Sequence, residues 1–419
     1  NKEKARTREA YAAGQVDRDT LLASESAAYH APGTCTFYGT ANSNQMLMEF
    51  MGMQLPSGSF VNPGTELRDL LTDEAGAQVL KNTNRSGNYT PIGEVIREKS
   101  IVNGIVGLLA TGGSTNHTIH LVAIANAAGI RIDWEDFAEL SHDVPLLARV
   151  YPNGKADVNH FHAAGGLGFV TAQLLDAGLL HEDVNTVLGP GLRKFCQEPF
   201  AKDGALSWQP AQAESLDEEI LRTVNSPFDK EGGLRLVSGN VGRAIVKISA
   251  VKKDHHSITA PARVFLSQEE FKDAFNAGEL EMDFVAVLPG QGPGANGMPE
   301  LHKLTPYLGV LQNRGFKVAL LTDGRMSGAS GKVLAAIQVT PEALHGGLLG
   351  KIRTGDQVTI DSEAGIMNVE ADDDVKGRES IALDLDSQHE GMGRELFAAF
   401  RSNTNGAERG ATIFGEVVE

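Results

Sequence analysis

The second half of the chain consists of short β-branched segments, whereas the first 180 residues read as a succession of helices. Gly and Pro separate the β-branched segments, and this punctuation is typical of a barrel or a sandwich. The segments are RAIVKISAV (243–251), ITAPARVFL (258–266), FVAVL (284–288), FKVALLTD (316–323), VLAAIQV (333–339) and DQVTID (356–361). The contrast predicts a helix-rich part followed by a β-rich part.

The first part combines helices with short apolar segments, as an α/β layer protein does. Its segment SIVNGIVGLLA (100–110) is apolar and mixed in period, so helix and strand both stay open there. With 419 residues, the chain exceeds the size at which a single core usually stops growing, about 250–300 residues. Because the stretch around 201–235 is polar, we predict an α/β domain over 1–205, a β-barrel or sandwich domain over 206–385 and a helical tail over 386–419.

Composition excludes several classes of function. The net charge is −17 and no basic stripe is present, which argues against nucleic-acid binding. No apolar run reaches the roughly 18 residues that a membrane helix needs. Two cysteines do not form a disulfide framework, so we expect a cytoplasmic protein. The chain does not begin with Met, and we expect the natural protein to start further upstream.

Two segments are candidate anion sites. In TGGSTNH (111–117), Ser114, Thr115 and Asn116 precede a predicted helix whose free N–H groups favour an anion. A helix start with a Ser or Thr N-cap and no bound anion explains the same residues. TDGRMSGASGK (322–332) follows an apolar strand. Its Arg325 and Lys332 suit a carboxylate or phosphate, and its Ser327 is a candidate base or nucleophile if a nearby cation lowers its pKa.

Two further residues are candidates for holding metals. Glu300 ends the glycine-rich segment QGPGANGMPE, and its carboxylate suits Mg²⁺, although an exposed turn explains the segment equally well. Cys35 lies among small residues in GTCTFYGTANSNQ, where a bulky iron–sulfur cluster could approach the backbone. One cysteine cannot hold a cluster. Cys35 is therefore either a buried free thiol or one ligand whose partners lie outside this chain.

The sequence resembles the family that contains dihydroxy-acid and 6-phosphogluconate dehydratases, and it is most similar to the phosphogluconate branch. The likeness covers nearly the whole chain, which corresponds to the family's C-terminal part. The strings that carry it are PGTCTFYGTANSNQMLMEFMGMQLPSGS, TGGSTNHTIHL, VNHFHAAGG, GLLHEDVNTV, LVSGNVGRA, ANGMPELHKLTP and TDGRMSGASGKV.

The resemblance implies an incomplete α/β cluster-binding domain followed by a β-barrel domain, with the site between them. It implies a homodimeric hydro-lyase that dehydrates 6-phospho-D-gluconate to 2-dehydro-3-deoxy-6-phosphogluconate in the Entner–Doudoroff pathway. The resemblance also implies a 4Fe-4S cluster that would serve as Lewis acid, with Mg²⁺ as a second cofactor. Cys35 matches the last cluster cysteine, and the other ligands are expected upstream of residue 1. Glu300 matches a Mg²⁺ ligand and Ser327 the base.

The anion contacts of Arg325, Lys332, Ser114, Thr115 and Asn116 rest on local chemistry rather than on a family role.

This sequence departs from the family pattern at two places. Leu288, Pro289 and Gly290 stand where the family usually has valine, arginine and an aromatic residue, and Gln338 stands in place of a histidine. Two alternatives therefore stay open, namely a dehydratase for another sugar acid and a non-catalytic fragment or degenerate paralogue. The retained Cys35, Glu300 and Ser327 favour the active phosphogluconate dehydratase.

Overall fold

Helices dominate the described chain as far as residue 176. The structure, a computed structural model, describes residues 2–27, 35–327, 331–370, 372–385, 390–391 and 393–414. The helices of the first part are α1 Lys2–Ala12, α2 Arg18–Ser26, α3 Thr40–Phe50, α4 Glu66–Lys81, α5 Ile92–Val95, α6 Glu98–Thr111, α7 His117–Ala127, α8 Trp134–Asp143, α9 Val158–Ala163 and α10 Gly166–Asp176.

Helix α6 is the centre of this helical part, which resolves the open question over residues 100–110 in favour of a helix. From Ser100 to Thr111, all of its residues except Val102 are buried, and most of them are apolar. Ser100 accepts the Arg97 N–H at the first turn, and Gly112 ends the helix in the left-handed conformation. At Gly107 the Phe50 ring of α3 lies so close that an added Cβ would be 2.5 Å from it.

Replacing Gly107 by alanine is expected to lower the free energy of unfolding by about 1–3 kcal/mol, because the methyl group overpacks the contact with Phe50. The matched control is Gly76→Ala in α4, where a Cβ meets nothing within 4 Å. That change should stabilise the helix by about 0.5–1 kcal/mol. Urea unfolding of both variants checks the prediction, and equal effects at the two positions would contradict it.

Two small hairpins follow the helices. The first pairs β1 Asn185–Thr186 with β2 Gly189–Pro190, and the second pairs β3 Gln197–Lys202 with β4 Ala205–Pro210. In the chain, both hairpins lie between the helical part and the strands of the barrel. The predicted domain boundaries at 205/206 and 385/386 stay predictions.

A closed barrel follows the hairpins. Its strands are β5 Leu234–Gly239, β6 Gly242–Lys247, β7 Ser257–Val264, β8 Phe284–Leu288, β9 Val318–Thr322, β10 Leu334–Thr340, β11 Gln357–Asp361 and β12 Ile366–Val369. Around the barrel the order is β10-β6-β5-β12-β11-β7-β8-β9, with β9 returning to β10. The helix-then-barrel fold class is thereby confirmed, and the sandwich alternative is excluded.

Strands β7, β8, β9 and β10 form the parallel side of the barrel. Helix α11 Gln268–Asn276 connects β7 with β8. The short helix α12 Pro293–Asn296 and the longer α13 Leu304–Asn313 connect β8 with β9. Every residue of β8 and β9 is buried, because the barrel interior covers one face and these helices cover the other. Parallel strands end at the same edge, so the loops after β8 and β9 are neighbours.

The described chain beyond the barrel contains short helical segments at Asp372–Gly377, Arg394–Phe397, Ala398–Asn403 and Ala407–Arg409. Among the described residues, no helix has the length and apolar character that crossing a bilayer requires.

Candidate active site

The carboxyl ends of β8 and β9 open into a cleft of about 1140 Å³, which we call the main cleft. Loops from the barrel form one wall, and the segment before α3 together with α7 forms the other. Four residues singled out from the sequence line it, namely Cys35, Glu300, Arg325 and Ser327. These residues are up to 292 positions apart in the chain, and the fold brings them to one space.

Glu300 and Arg325 hold the loops after β8 and β9 together. The two residues form a parallel bridge, and the Leu301 N–H donates to the Arg325 carbonyl at 3.1 Å. The Arg325 guanidinium donates to a Glu300 carboxylate oxygen at 2.9 Å and to the Met298 carbonyl at 2.7 Å. Glu300 therefore faces the cleft with one carboxylate oxygen fixed by a cation.

Asp323 also fixes the loops after β8 and β9. Its carboxylate accepts the N–H groups of Gly290 at 3.1 Å, Gln291 at 2.7 Å and Ala343 at 3.0 Å. Burial raises the pKa of Asp323 to about 6, and these three hydrogen bonds act in the opposite direction. The carboxylate thereby connects the Leu288–Pro289–Gly290 segment to the loop that carries Ser327.

Ser327 lies partly buried in the wall of the main cleft, two residues beyond Arg325. The next residues of its motif, including Ser330, lie outside the described residues. Because the cleft wall also carries Arg325, a cation lies in the same cavity as the Ser327 hydroxyl. A nearby cation favours the deprotonated form of a hydroxyl.

Cys35 is exposed at the edge of the cleft, so it is not the buried thiol that was one of its two sequence interpretations. Asn42 fixes this segment by donating to the Cys35 carbonyl at 2.9 Å and to the Phe37 carbonyl at 2.6 Å. The neighbouring Gly39, Thr40 and Ala41 are small and also line the cleft. Cys196 is half-buried elsewhere, and burial raises its pKa to about 11.

Ser114 and Asn116 lie one layer behind the cleft wall. The Ser114 hydroxyl is 2.9 Å from the Thr40 hydroxyl, and the Asn116 amide donates to that same Thr40 oxygen at 2.7 Å. Thr115 lines a separate enclosed cavity of about 30 Å³. The structure therefore brings Thr40, rather than these three residues, to the cleft surface, and their anion-binding role stays a prediction.

Lys332 does not reach the main cleft. It lines a second cleft of about 820 Å³ together with Tyr151. Its ammonium lies 5.5 Å from the centroid of the Tyr151 ring. Ser327 and Lys332, five positions apart in the chain, therefore line different clefts.

Sequence reasoning missed His120 and Arg401, both of which line the main cleft. Burial and the charge of Arg325 lower the pKa of His120. The spacing of His117 and His120 was the available signal, because residues three apart share one face of a helix. Arg401 lies in the tail, where no sequence motif indicated a site.

His117 is fully buried behind His120, and its Nε2 is 2.8 Å from the Ser43 hydroxyl. Burial, and secondly the neighbouring His120, lower the pKa of His117 to about 3. Between pH 3 and pH 6.5, His117 is therefore protonated in the unfolded chain but neutral in the folded chain. Its contribution to the free energy of unfolding is fully present above pH 6.5 and decreases as the pH falls below that value.

Acidification from pH 7 to pH 5 is expected to remove about 2 kcal/mol of unfolding free energy through His117. The His117→Gln variant should lose that part of the pH dependence, whereas the exposed His181→Gln variant should keep it. Urea unfolding at both pH values is the measurement. An unchanged pH dependence in the His117 variant would contradict the assignment.

Residues 158–163 form helix α9, and His160 and His162 are both on it. On a strand, these two alternate histidines would face one side and could share a metal, but the helix excludes that arrangement. Residues two apart point in different directions on a helix. His160 Nδ1 is 2.8 Å from the Asp157 carboxylate, which caps the helix and stabilises the helical conformation.

The departures from the family pattern lie outside the lining of the main cleft. Gln338 is fully buried with φ +61°, and the Thr118 hydroxyl donates to its side-chain oxygen at 2.8 Å. Its backbone N–H donates to the Gly324 carbonyl at 2.8 Å. Gln338 thus connects the barrel with α7.

Gly290 has φ +76°, a conformation that suits glycine, and a Cβ there would meet Leu383 at 2.6 Å.

Within the described residues, no group of three or more His, Cys, Asp or Glu side chains is arranged to hold a metal ion. Cys35 and Glu300 each present one donor to the main cleft. The exposed thiol among small residues fits one ligand of a cluster, and the carboxylate fits one ligand of Mg²⁺.

Residues 2–195 match the model for the dihydroxy-acid/6-phosphogluconate dehydratase N-terminal domain, and residues 219–411 match the corresponding C-terminal domain. A phosphogluconate dehydratase from Pseudomonas aeruginosa is 59% identical over 99% of this chain and 68% of its own length. This chain belongs to the dihydroxy-acid/6-phosphogluconate dehydratase family.

Other members of the family show how the similarity is distributed. The phosphogluconate dehydratase of Escherichia coli K12 is 56% identical over 98% of this chain and 68% of its own length. A dihydroxy-acid dehydratase from Prochlorococcus marinus is 34% identical over 84% of this chain and 60% of its own length. The chain is therefore more similar to these relatives named for phosphogluconate than to this dihydroxy-acid dehydratase.

Proposed function

We propose that this family member dehydrates 6-phospho-D-gluconate to 2-dehydro-3-deoxy-6-phosphogluconate, a step of the Entner–Doudoroff pathway. The observation that carries the proposal is that Cys35, Glu300 and Ser327 line one cleft. A thiol, a carboxylate and a hydroxyl are the donor types that a metal-assisted dehydration needs. Relatives that are 56% and 59% identical and named phosphogluconate dehydratase support the choice of substrate.

The cofactors belong to the same proposal. Cys35 would hold a 4Fe-4S cluster as one of several ligands, and Glu300 would contribute one oxygen to Mg²⁺. When bound, the two metal centres supply Lewis-acid chemistry at the substrate oxygens. The remaining ligands come from outside the described residues.

The residues of this chain would act on the substrate as follows. Ser327, as the alkoxide, takes the proton from C2. Arg325 holds an anionic group of the substrate from the same wall. The C2–H and C3–O bonds break, hydroxide leaves from C3, and a double bond forms between C2 and C3. The hydroxide combines with the proton taken by Ser327 and leaves as water. The resulting enol gains a proton at C3 and loses the proton of its C2 hydroxyl, which gives the 2-keto acid.

A comparison of three substrates tests the proposal. The iron-loaded full-length protein is assayed without oxygen on 6-phosphogluconate, on gluconate and on a branched 2,3-dihydroxy acid, and the 2-keto products are measured. We expect the highest kcat/KM on 6-phosphogluconate. A preference for either of the other acids would reassign the substrate, and turnover of none of them would favour the non-catalytic alternative.

The Glu300→Gln variant is expected to lower kcat/KM by about ten- to a hundredfold, because Mg²⁺ loses one oxygen ligand. More Mg²⁺ should then be needed for half-maximal rate. The matched control is Glu281→Gln, since Glu281 also pairs with an arginine, Arg314, but lies on the surface. An unchanged Mg²⁺ dependence in the Glu300 variant would contradict its assignment as a ligand.

Location and assembly are also proposals. Cysteine content, charge and hydropathy support a cytoplasmic protein without nucleic-acid or membrane partners. The resemblance supports a homodimer that acts on a small anionic sugar acid. Sedimentation of the purified full-length protein checks the assembly, and a monomer at micromolar concentration would contradict it.

A further inference from the structure

Four cationic side chains line the second cleft that contains Lys332, which we call the basic cleft. They are Arg149, Lys155, Lys252 and Lys332. The acidic groups that line it are Glu9 and Glu219, so cations outnumber carboxylates. We propose that the basic cleft binds a phosphate monoester.

The cations of the basic cleft lie close together without carboxylate partners among the described residues. The chain has a net charge of −17, and several arginines elsewhere contact carboxylates, as Arg193 does with Asp176 and Glu182. None of the four cations of the basic cleft forms an ion pair with any described residue. Their mutual repulsion is therefore not offset by neighbouring carboxylates, and a dianion in the cleft would offset it.

Aromatic rings hold two of these cations in position. The Lys332 ammonium lies 5.5 Å from the centroid of the Tyr151 ring, and the Arg149 guanidinium lies 4.5 Å from that of Phe228. Such contacts restrict long side chains without neutralising them, so both groups stay available to an anion.

The turn that carries Lys155 is also fixed. The Tyr151 N–H donates to the Ala156 carbonyl at 2.8 Å, which closes the turn around Lys155. Asn153 and Gln312 line the same cleft. Their amide nitrogens donate to the Gly112 carbonyl at 2.9 Å and to the Lys332 carbonyl at 3.2 Å, and each has a second N–H for an oxygen of a ligand. The cleft thus offers both charge and uncharged hydrogen-bonding groups, as a phosphate monoester requires.

The basic cleft shares a wall with the main cleft. Phe37 lines the main cleft and Tyr151 the basic cleft, and their ring centroids are 5.1 Å apart. The Tyr38 N–H donates to the Tyr151 carbonyl at 3.1 Å. The phosphate has two conceivable sources, namely the substrate of the proposed reaction or a separate phosphorylated compound. Only the first source rests on the proposed function.

Direct binding tests the site independently of turnover. Inorganic phosphate is titrated into the full-length protein by calorimetry, and the Lys155→Gln/Lys332→Gln variant is compared with wild type. Affinity should fall at least about tenfold in this variant, and added salt should weaken binding to wild type. The matched control, Lys202→Gln/Lys317→Gln, removes the same charge from two exposed lysines outside the cleft and should bind phosphate normally.

Steady-state kinetics then distinguishes the sources. If the double variant loses phosphate binding and its KM for 6-phosphogluconate rises while kcat/KM for gluconate is unchanged, the cleft holds the phosphate of the substrate. If phosphate binding is lost and KM is unchanged, the ligand is a separate phosphorylated compound. Two results would overturn the proposal. One is equal phosphate affinity in the double variant and wild type. The other is no binding to wild type at 10 mM phosphate, which is roughly the weakest affinity of a useful site. A protein that binds phosphate but turns over no substrate would reject the proposed function alone.

Discussion

Replacing Ser327 by alanine is expected to slow the dehydration of 6-phosphogluconate by about 10²–10⁴-fold, the usual contribution of a positioned acid–base group. The rate falls because alanine lacks the hydroxyl oxygen with which residue 327, in the wall of the main cleft, would take the proton from C2. The metal centres should be unaffected, because Ser327 is not one of their proposed ligands. Iron content and the visible absorbance of the cluster should therefore equal those of wild type.

The control for this prediction is Thr404→Ala. Thr404 also presents a side chain to the main cleft, but its hydroxyl donates to the Phe400 carbonyl at 2.6 Å and has no proposed chemical role. Its variant should keep kcat within a few-fold of wild type. A Ser327→Ala protein with near-normal kcat would exclude Ser327 as the base. Loss of iron from that protein would show instead that its effect is structural.

Replacing Cys35 by serine is expected to remove most of the activity together with the visible absorbance of the cluster. A serine hydroxyl is a poor substitute for the soft thiolate that iron–sulfur clusters require. Because Cys35 is exposed at the cleft edge, the change from sulfur to oxygen leaves no cavity in the core. The melting temperature of the iron-free protein should therefore be unchanged.

Cys196→Ser is the matched control for Cys35. The Cys196 thiol is half-buried, and its pKa of about 11 keeps it protonated at neutral pH, so it is a poor metal ligand. This variant should retain both iron and turnover. Iron retention by the Cys35 variant, or equal iron loss in both variants, would contradict the role assigned to Cys35.

Local sequence patterns predicted much of the fold. The β-branched segments separated by Gly and Pro became barrel strands, and the predicted succession of helices precedes them. Barrel closure was not visible in the segments, since it depends on the pairing of β9 with β10 and of β6 with β10, which local patterns do not encode. The alternating histidines His160 and His162 would also suit a strand, and the Asp157 cap is the local signal that favours the helix at residues 158–163.

The candidate site was predictable in its residues but not in its geometry. Motifs identified Cys35, Glu300 and Ser327, and the fold supplied the cleft that they share. Lys332 illustrates the limit, because it lies only five positions after Ser327 and yet lines a different cleft. Arg401 approaches the site from the far end of the chain, and no local pattern carries information about such a contact.

The most direct test of the account is the structure of the full-length protein, loaded with iron without oxygen and bound to 6-phosphogluconate. We predict that C2 of the substrate lies within about 3.5 Å of the Ser327 hydroxyl, the separation of a reactive encounter. The C3 hydroxyl should face the metal centre that Cys35 helps to hold. A substrate bound outside the main cleft, or with C2 turned away from Ser327, would contradict the account.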